Sequence, residues 1–482
     1  MSTLKNYSYN LLYQITALIV PFVTIPYISR VFGAEGIGSY AVSYAIAQYF
    51  CLFGILGLNT YGTRQIAYCR DNEAECRKTF WNLNYMRAIT MGIALLLYAI
   101  YVLFFVEKAK LTIYLCQSLV LWASFFDISW FFYGKEEFRL TALRNIIVKV
   151  IGMILVFVFV RDSKDVWIYA LIIALTLFLG QIIMWNIPLR KMKIEKPDLN
   201  LIWYYCQNTI KLWIPTIAIN IYTQLDKVML GYMTCDAQVG LYENSQHMIK
   251  LVSTITTTLA TVMTPRMSNL FARNEINKLR VGVYKSFRFV SLLAFPMVFG
   301  IIAIRNTFVI WFFGKSFEEI STLLIVSAWL VLTLSWSNVI GNQVLIACGK
   351  EKYYTMSVSI GAVTNICMNI MLIPKLLCMG AIVSSVVAEY IGMIFMVFFA
   401  RKIVFVNELL KGQIKYLLAA GLMYIVAFYI GEALEPNMLT TILQVVVAII
   451  FYGGAILLMR DKFVLNMFNQ YINKIKAVRN EL

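Results

Sequence analysis

Apolar residues run through this chain in blocks of about twenty, each long enough to cross a bilayer as a helix, and short connections between them carry most of the charge. The blocks fall at residues 9–30, 38–61, 82–106, 111–133, 145–160, 166–188, 210–233, 240–264, 286–308, 320–346, 355–377, 379–400, 415–433 and 439–459. They predict an all-α integral membrane protein with about fourteen transmembrane helices. Strands of a membrane β-barrel would instead alternate apolar and polar positions in pieces of about ten residues. A continuous apolar block must be helical, because in lipid only a helix satisfies its own backbone groups.

Composition and charge sharpen this picture. Of 482 residues 60% are hydrophobic and 14% charged, with a mean hydropathy of +0.73, which excludes a water-soluble chain. The net charge of +17 has a topological meaning. Alternate connections hold only Arg30, Lys108, Lys110, Arg161, Lys164, Arg305, Lys315 and Lys375, whereas most other Lys and Arg lie on the side of the two termini. The positive-inside rule therefore places both termini in the cytoplasm, with anionic headgroups as a secondary attraction. No basic, aromatic-interleaved soluble module exists, so nucleic acid is not an expected partner. One Lys precedes the first block and no small-residue cleavage site follows it, which predicts a retained helix and not a secretory signal. The nine cysteines form no CxxC and the only histidine is His247, so neither a metal site nor a cofactor is expected.

The longest central interruption, basic and polar with Pro197, reads as a cytoplasmic linker. It divides the chain into an N-terminal six-helix bundle (1–189), the linker (190–209), a second six-helix bundle (210–400), and two extra helices with a basic tail (401–482). An internal repeat supports two equivalent halves. GSYAVS at Gly38–Ser43 recurs as GLYENS at Gly240–Ser245, and Arg64 with Arg266 and Glu73 with Glu275 keep the same offset. GKE recurs at Gly134–Glu136 and Gly349–Glu351. Six helices per repeat give both halves the same orientation, so the repeats are expected to be parallel about an axis along the membrane normal, with the site between them.

Charged side chains at membrane depth cost roughly 2.5 kcal/mol upward each, so they are expected to face a cavity or a partner. The eighth block carries Glu243, His247, Lys250, Thr254, Thr257 or Thr258, and Thr261 at steps of three and four, one helical face. The seventh carries Thr216, Asn220, Gln224 and Lys227 beside Asp226, with Pro215 available as a bend. Asn342 ends the tenth, and Asn365 and Asn369 lie four apart in the eleventh. These rows suit a hydrated, hydroxyl-rich ligand. For Glu243, His247 and Lys250, mutual pairing, cavity lining and proton coupling all fit the spacing; Asp226 and Glu389 are further candidates for ion coupling. The cationic candidates are Arg30, Arg64, Arg87, Lys211, Lys227 and Lys250, with phosphate as the natural ligand of such groups and headgroup contact as the alternative for Arg64 and Arg87.

Four stretches carry a family likeness. PFVTIPYISRVFGAEGIGSY at Pro21–Tyr40, QLDKVMLGYMTCDAQVGLYENS at Gln224–Ser245, GNQVLIACGKEKYY at Gly341–Tyr354 and NICMNIMLIPKLLCMGAIVSSVVAE ending at Glu389 together resemble the polysaccharide-biosynthesis, or oligosaccharide, flippases. These flippases share a superfamily with multidrug-extruding antiporters and lipid II flippases, and the likeness spans about residues 4–400. It implies transfer of undecaprenyl-diphosphate-linked sugar repeats from the cytoplasmic to the outer leaflet of a bacterial plasma membrane for O-antigen, capsule or exopolysaccharide assembly. A polymerase and other assembly proteins are then expected partners. Arg30, Asp226 and Lys227 are the motif-matched positions. The competing readings are a cation-coupled drug exporter of the same fold, which predicts an acidic, aromatic pocket, and a membrane glycosyltransferase, which needs catalytic external loops that this chain lacks.

Overall fold

The computed structural model describes residues 3–466, without the side chains of 3–11, 191, 212, 214–216, 218–223 and 259–262. Its architecture is helical throughout: α1 (Thr3–Ile55), α2 (Leu58–Cys69), α3 (Glu73–Phe105), α4 (Leu111–Phe125), α5 (Ser129–Gly134), α6 (Phe138–Phe159), α7 (Val166–Lys191) and α8 (Leu199–Met233) lead into α9 (Asp236–Ala272). Then come α10 (Ile276–Phe312), α11 (Ile320–Ser327), α12 (Trp329–Asn338), α13 (Glu351–Ala400), α14 (Val406–Leu410), α15 (Gln413–Ala433) and α16 (Met438–Leu458). Ten helical stretches among the described residues are long and apolar enough to cross a membrane. The chain is a multi-pass membrane protein. Packing divides it into two compact units, Met1–Glu243 and Asn244–Leu482.

Two helices are too long for one crossing. A straight 53-residue α1 would extend about 80 Å, against about 30 Å of hydrocarbon. The backbone breaks at Gly33, whose φ of 64° belongs to the left-handed region that glycine enters without a steric penalty. In the 50-residue α13 the break is at Leu377, φ 53°, three residues beyond Pro374. The connections expected near 33 and 378 are thus single-residue kinks. Other expected blocks are split. The second ends at Leu56 and Gly57 (φ 48° and 75°), where α2 begins. In the fourth, the Asp127 carboxylate accepts bonds from the Ser129 N–H (2.9 Å) and hydroxyl (2.5 Å), a local turn that competes with the helix and separates α4 from α5. The tenth is α11, α12 and a π-helical stretch over Val339–Ile346.

In the first unit α1 packs on α3, α4, α6 and α8. At the end where α1 turns, Gly38 and Gly240 meet. A Cβ on Gly38 would overlap the backbone carbonyl of Asp236, and one on Gly240 would overlap that of Ala34. Only glycine permits this approach. At the opposite end a core of Tyr61, Phe80, Trp81, Trp130, Phe131 and Phe132 joins α2, α3 and α5. The irregular segment 192–198 is fastened to α3: Trp81 Nε1 donates to the Lys193 carbonyl (2.9 Å), Arg77 pairs with Glu195 (2.5 Å) and Lys78 with Asp198 (3.1 Å). Asp198 also caps α8 by accepting from the Leu201 N–H (3.2 Å), and the Lys78 ammonium holds its carboxyl below the usual carboxylate range.

In the second unit α10 is the central element, packed by α12, α15 and α16. Buried polar bonds hold α16 there. Thr307 Oγ1 donates to the Gln444 amide oxygen (2.6 Å), the Gln444 amide nitrogen donates to the Ala427 carbonyl (2.8 Å), and Trp311 Nε1 donates to Thr441 Oγ1 (2.8 Å). In lipid, where apolar contact alone gives helices little reason to associate, such bonds and close packing do the fastening.

Candidate substrate-binding site

α8 and α9 have the length of membrane spans, and polar residues recur along both. A helix of that kind is not built for lipid on every side. Where α9 begins it returns against α8, and two adjacent residues of each helix pair. Tyr242 OH donates to Asp226 Oδ2 (2.6 Å), and Lys227 Nζ contacts Glu243 Oε2 (2.7 Å) and Oε1 (2.9 Å). Asp226 is 3% exposed, and the Lys227 and Glu243 side chains are each 14% exposed. Charges so far from water are stable only when paired and hydrogen-bonded. Tyr40, Tyr44 and Tyr169 lie within electrostatic reach of Glu243; Tyr40 stacks on Tyr44 (centroids 5.8 Å apart) and meets Tyr169 edge-on (4.7 Å).

Gln224, half-buried, lies less than a turn before Asp226 and lines a cavity of about 210 Å³ with Gln48, Tyr49, Asn59 and Thr60. Its amide oxygen is buried and has no hydrogen-bond donor among the described residues, so it is set to receive one from a ligand or water. Gln224, Asp226, Lys227 and Glu243 are therefore brought together in the first unit. The Asn220 side chain lies outside the described residues, as do those of Pro215, Thr216 and Thr261.

The other cationic candidates are dispersed. Arg30 and Lys250 are exposed; Lys211 is exposed and donates to Asn208 Oδ1 (3.4 Å). Arg64 is exposed, with its guanidinium 5.7 Å from the Tyr61 ring centre. Arg87 is 2% exposed and donates to the Asp127 carbonyl and to Asn84 Oδ1 beside the break between α4 and α5. In the second unit, His247 and Thr254 are half-buried on α9, and Thr254 Oγ1 donates to the Lys250 carbonyl (2.8 Å). Asn342 Nδ2 donates to Asn338 Oδ1 (2.8 Å), and Asn369 Nδ2 donates to Asn365 Oδ1 (3.2 Å), both members of the latter pair fully buried. Glu389 is half-buried on the second limb of α13. Among the described residues no group of three or more His, Cys, Asp or Glu is placed to hold a metal.

Sequence reasoning singled out Asp226, Lys227 and Glu243 but missed Tyr242, which donates to Asp226, and the cluster of Tyr40, Tyr44 and Tyr169. A signal was present. Tyr40 and Tyr242 occupy the same position of GSYAVS and GLYENS, so the recurring motif marks tyrosine as well as glycine.

Fold and polar constellation together define a multi-pass helical membrane protein that keeps ionised groups inside its helices, the build of a transporter. Residues 3–271 match the family described as polysaccharide biosynthesis protein, and the chain belongs to that family. It is 22% identical over 364 residues to a candidate O-antigen transporter of Escherichia coli (strain K12), covering 74% of this chain and 86% of the relative. Among solved structures it is similar to lipid II flippase MurJ in an inward closed conformation, with TM-score 0.75 and 15% identity, covering 94% of this chain and 99% of that one. A multidrug resistance transporter in an inward-facing conformation gives TM-score 0.60 at 12% identity, covering 80% and 97%. These structures share the fold.

Proposed function

We propose that this chain is a flippase carrying undecaprenyl-diphosphate-linked oligosaccharide repeats from the cytoplasmic to the outer leaflet of the bacterial plasma membrane by alternating access, for cell-surface polysaccharide synthesis. Family membership and the O-antigen relative support the substrate class. The observation that carries the mechanism is the Lys227–Glu243 pair. An unpaired ammonium in a low-dielectric site costs several kcal/mol, so Lys227 needs an anion whether or not substrate is present. Glu243 fills that role in the empty protein. A diphosphate presents more charge and more acceptor oxygens and takes the ammonium over, while Glu243, released, becomes the group open to ion coupling, with Asp226 and Glu389 as further candidates. Arg30, Arg64, Lys211 and Lys250, dispersed on the surface, are separate candidates for phosphate contact, whereas Arg87 holds α3 beside the α4–α5 break. Gln224 lines a polar cavity suited to sugar hydroxyls; His247, Thr254 and Asn342 are further candidates for such contacts, whereas Asn365 and Asn369 are fully buried against each other.

The topology in this reading has fourteen crossings: the ten apolar stretches, the second limbs of α1 and α13, and the polar α8 and α9. Both termini are cytoplasmic, and the halves 1–189 and 210–400 are parallel repeats joined by 190–209, with 401–482 appended. An inside-negative potential then favours outward movement of the diphosphate by about 2.3 kcal/mol per charge per 100 mV.

The test is flipping of a fluorescent undecaprenyl-diphosphate glycan in vesicles, read as protection from an impermeant quencher. Wild-type protein should move the lipid and Lys227→Met should slow it at least about a hundredfold, the loss of one strong charge-assisted contact in a largely buried site. A Lys227→Met protein that folds and flips at the wild-type rate overturns the mechanism; drug efflux in place of lipid movement overturns the substrate class.

A further inference from the structure

The first unit holds a second cavity, at the opposite end of α3 from the 192–198 segment. It measures about 690 Å³, inside the range of roughly 300–1,000 Å³ common for small-ligand pockets. Three connections meet around it: the kink of α1, the link from α3 to α4, and the link from α8 to α9. They contribute Glu35, Glu107, Lys110 and Asp236, while Tyr101, Phe105, Tyr114 and Tyr232 form an aromatic wall.

That wall is organised. Tyr101 and Phe105, one turn apart on α3, stack with ring centres 5.9 Å apart and planes at 12°. Tyr101 lies 6.2 Å from Tyr114, and its hydroxyl is 2.5 Å from that of Tyr232. An interfacial aromatic belt presents rings singly to headgroups. Here the phenols of α3 and α8 are tied to one another around a hollow, with Phe105 and Tyr232 at its broadly exposed rim. Lys110 is taken by Asp236 (2.6 Å), and Glu35 and Glu107 are exposed with no ion pair among the described residues. The cavity is therefore acidic as well as aromatic.

We propose that this cavity is a glycan subsite, receiving sugar rings of the lipid-linked substrate at the outer end of the N-terminal unit. Sugar rings have apolar C–H faces that pack on aromatic rings, and hydroxyls at their edges that donate to carboxylates and phenols. The excess of carboxylate repels diphosphate, so the subsite discriminates within one substrate. It takes the carbohydrate and leaves the charged linkage near the membrane. The assignment rests on the flippase reading for the source of the sugar, but its chemistry is testable without the lipid.

Saturation-transfer NMR on the full chain in nanodiscs, with the methyl glycosides of glucose, galactose and N-acetylglucosamine as probes, reads binding to the sugar C–H protons. At least one probe should bind. Tyr232 is 64% exposed, so Tyr232→Ala removes ring surface with little effect on packing and should weaken binding about five- to tenfold. Tyr232→Phe, which keeps the ring, should retain most of it, and Glu107→Gln should weaken it. Gly421→Ala, at a position where an added Cβ meets nothing, should bind glycoside as wild type does. Binding of none of the probes, or equal binding by wild type and Tyr232→Ala, overturns the subsite even where lipid flipping proceeds. Tyr232-dependent binding by a protein that moves no lipid leaves the subsite standing and removes the transport reading.

Discussion

Lys227 and Glu243 illustrate how an ion pair differs from the sum of its charges. Removing one partner strands the other, and for a buried pair that costs roughly 3–5 kcal/mol. At 14% exposure water still reaches both side chains, so the lower end applies. Thermal unfolding in detergent should show Lys227→Met and Glu243→Gln each lowering the midpoint, and the double variant recovering most of the loss while remaining unable to flip lipid. Recovery of transport along with stability would show that the lysine serves the fold alone. This constellation was partly legible beforehand. Asp226, Lys227 and Glu243 stood out because charge inside an apolar block is costly. Their pairing did not, since residues sixteen apart meet only after the chain has turned at Thr234 and Cys235. Arg87 shows the same limit: sequence marks it as a membrane-depth cation, but only packing shows it donating to the Asp127 carbonyl and Asn84.

Helix boundaries were less legible than helix identity. The apolar blocks marked the helical stretches long and apolar enough to cross a membrane, ten of them among the described residues, since burial in lipid leaves a strong compositional trace. The breaks at Leu56–Gly57 and Asp127, and the π-helical turn at Val339–Ile346, arise from local hydrogen bonding inside otherwise continuous apolar sequence. Hydropathy averages over them. The crossing of Gly38 with Gly240 is of this kind as well, for glycine in an apolar helix is common and only the overlap with Ala34 and Asp236 carbonyls shows the need for it. Gly240→Ala should force those backbones apart and destabilise the protein by about 1–3 kcal/mol, the usual cost of overpacking, measured as a lower unfolding midpoint. Gly421, where an added Cβ meets nothing, is the control and should tolerate Ala.

The asymmetry of Lys and Arg predicts an orientation across the membrane, and Cys235 offers a direct check. It is exposed and sits between α8 and α9, in the group of connections opposite the termini. In intact cells a membrane-impermeant maleimide should label Cys235 and lose that labelling in Cys235→Ser; labelling only after the cells are opened would invert the topology. The fold class was legible in the sequence because lipid leaves the backbone of a continuous apolar block one solution, the helix.

The glycine crossing has one more implication. Ala34 and Asp236 are separated by the same interval as Gly38 and Gly240, so each glycine rests on the carbonyl four positions before its counterpart. The contact is a single handshake performed twice. A side chain at either glycine would press on the segment that carries the other, so the two positions are constrained together.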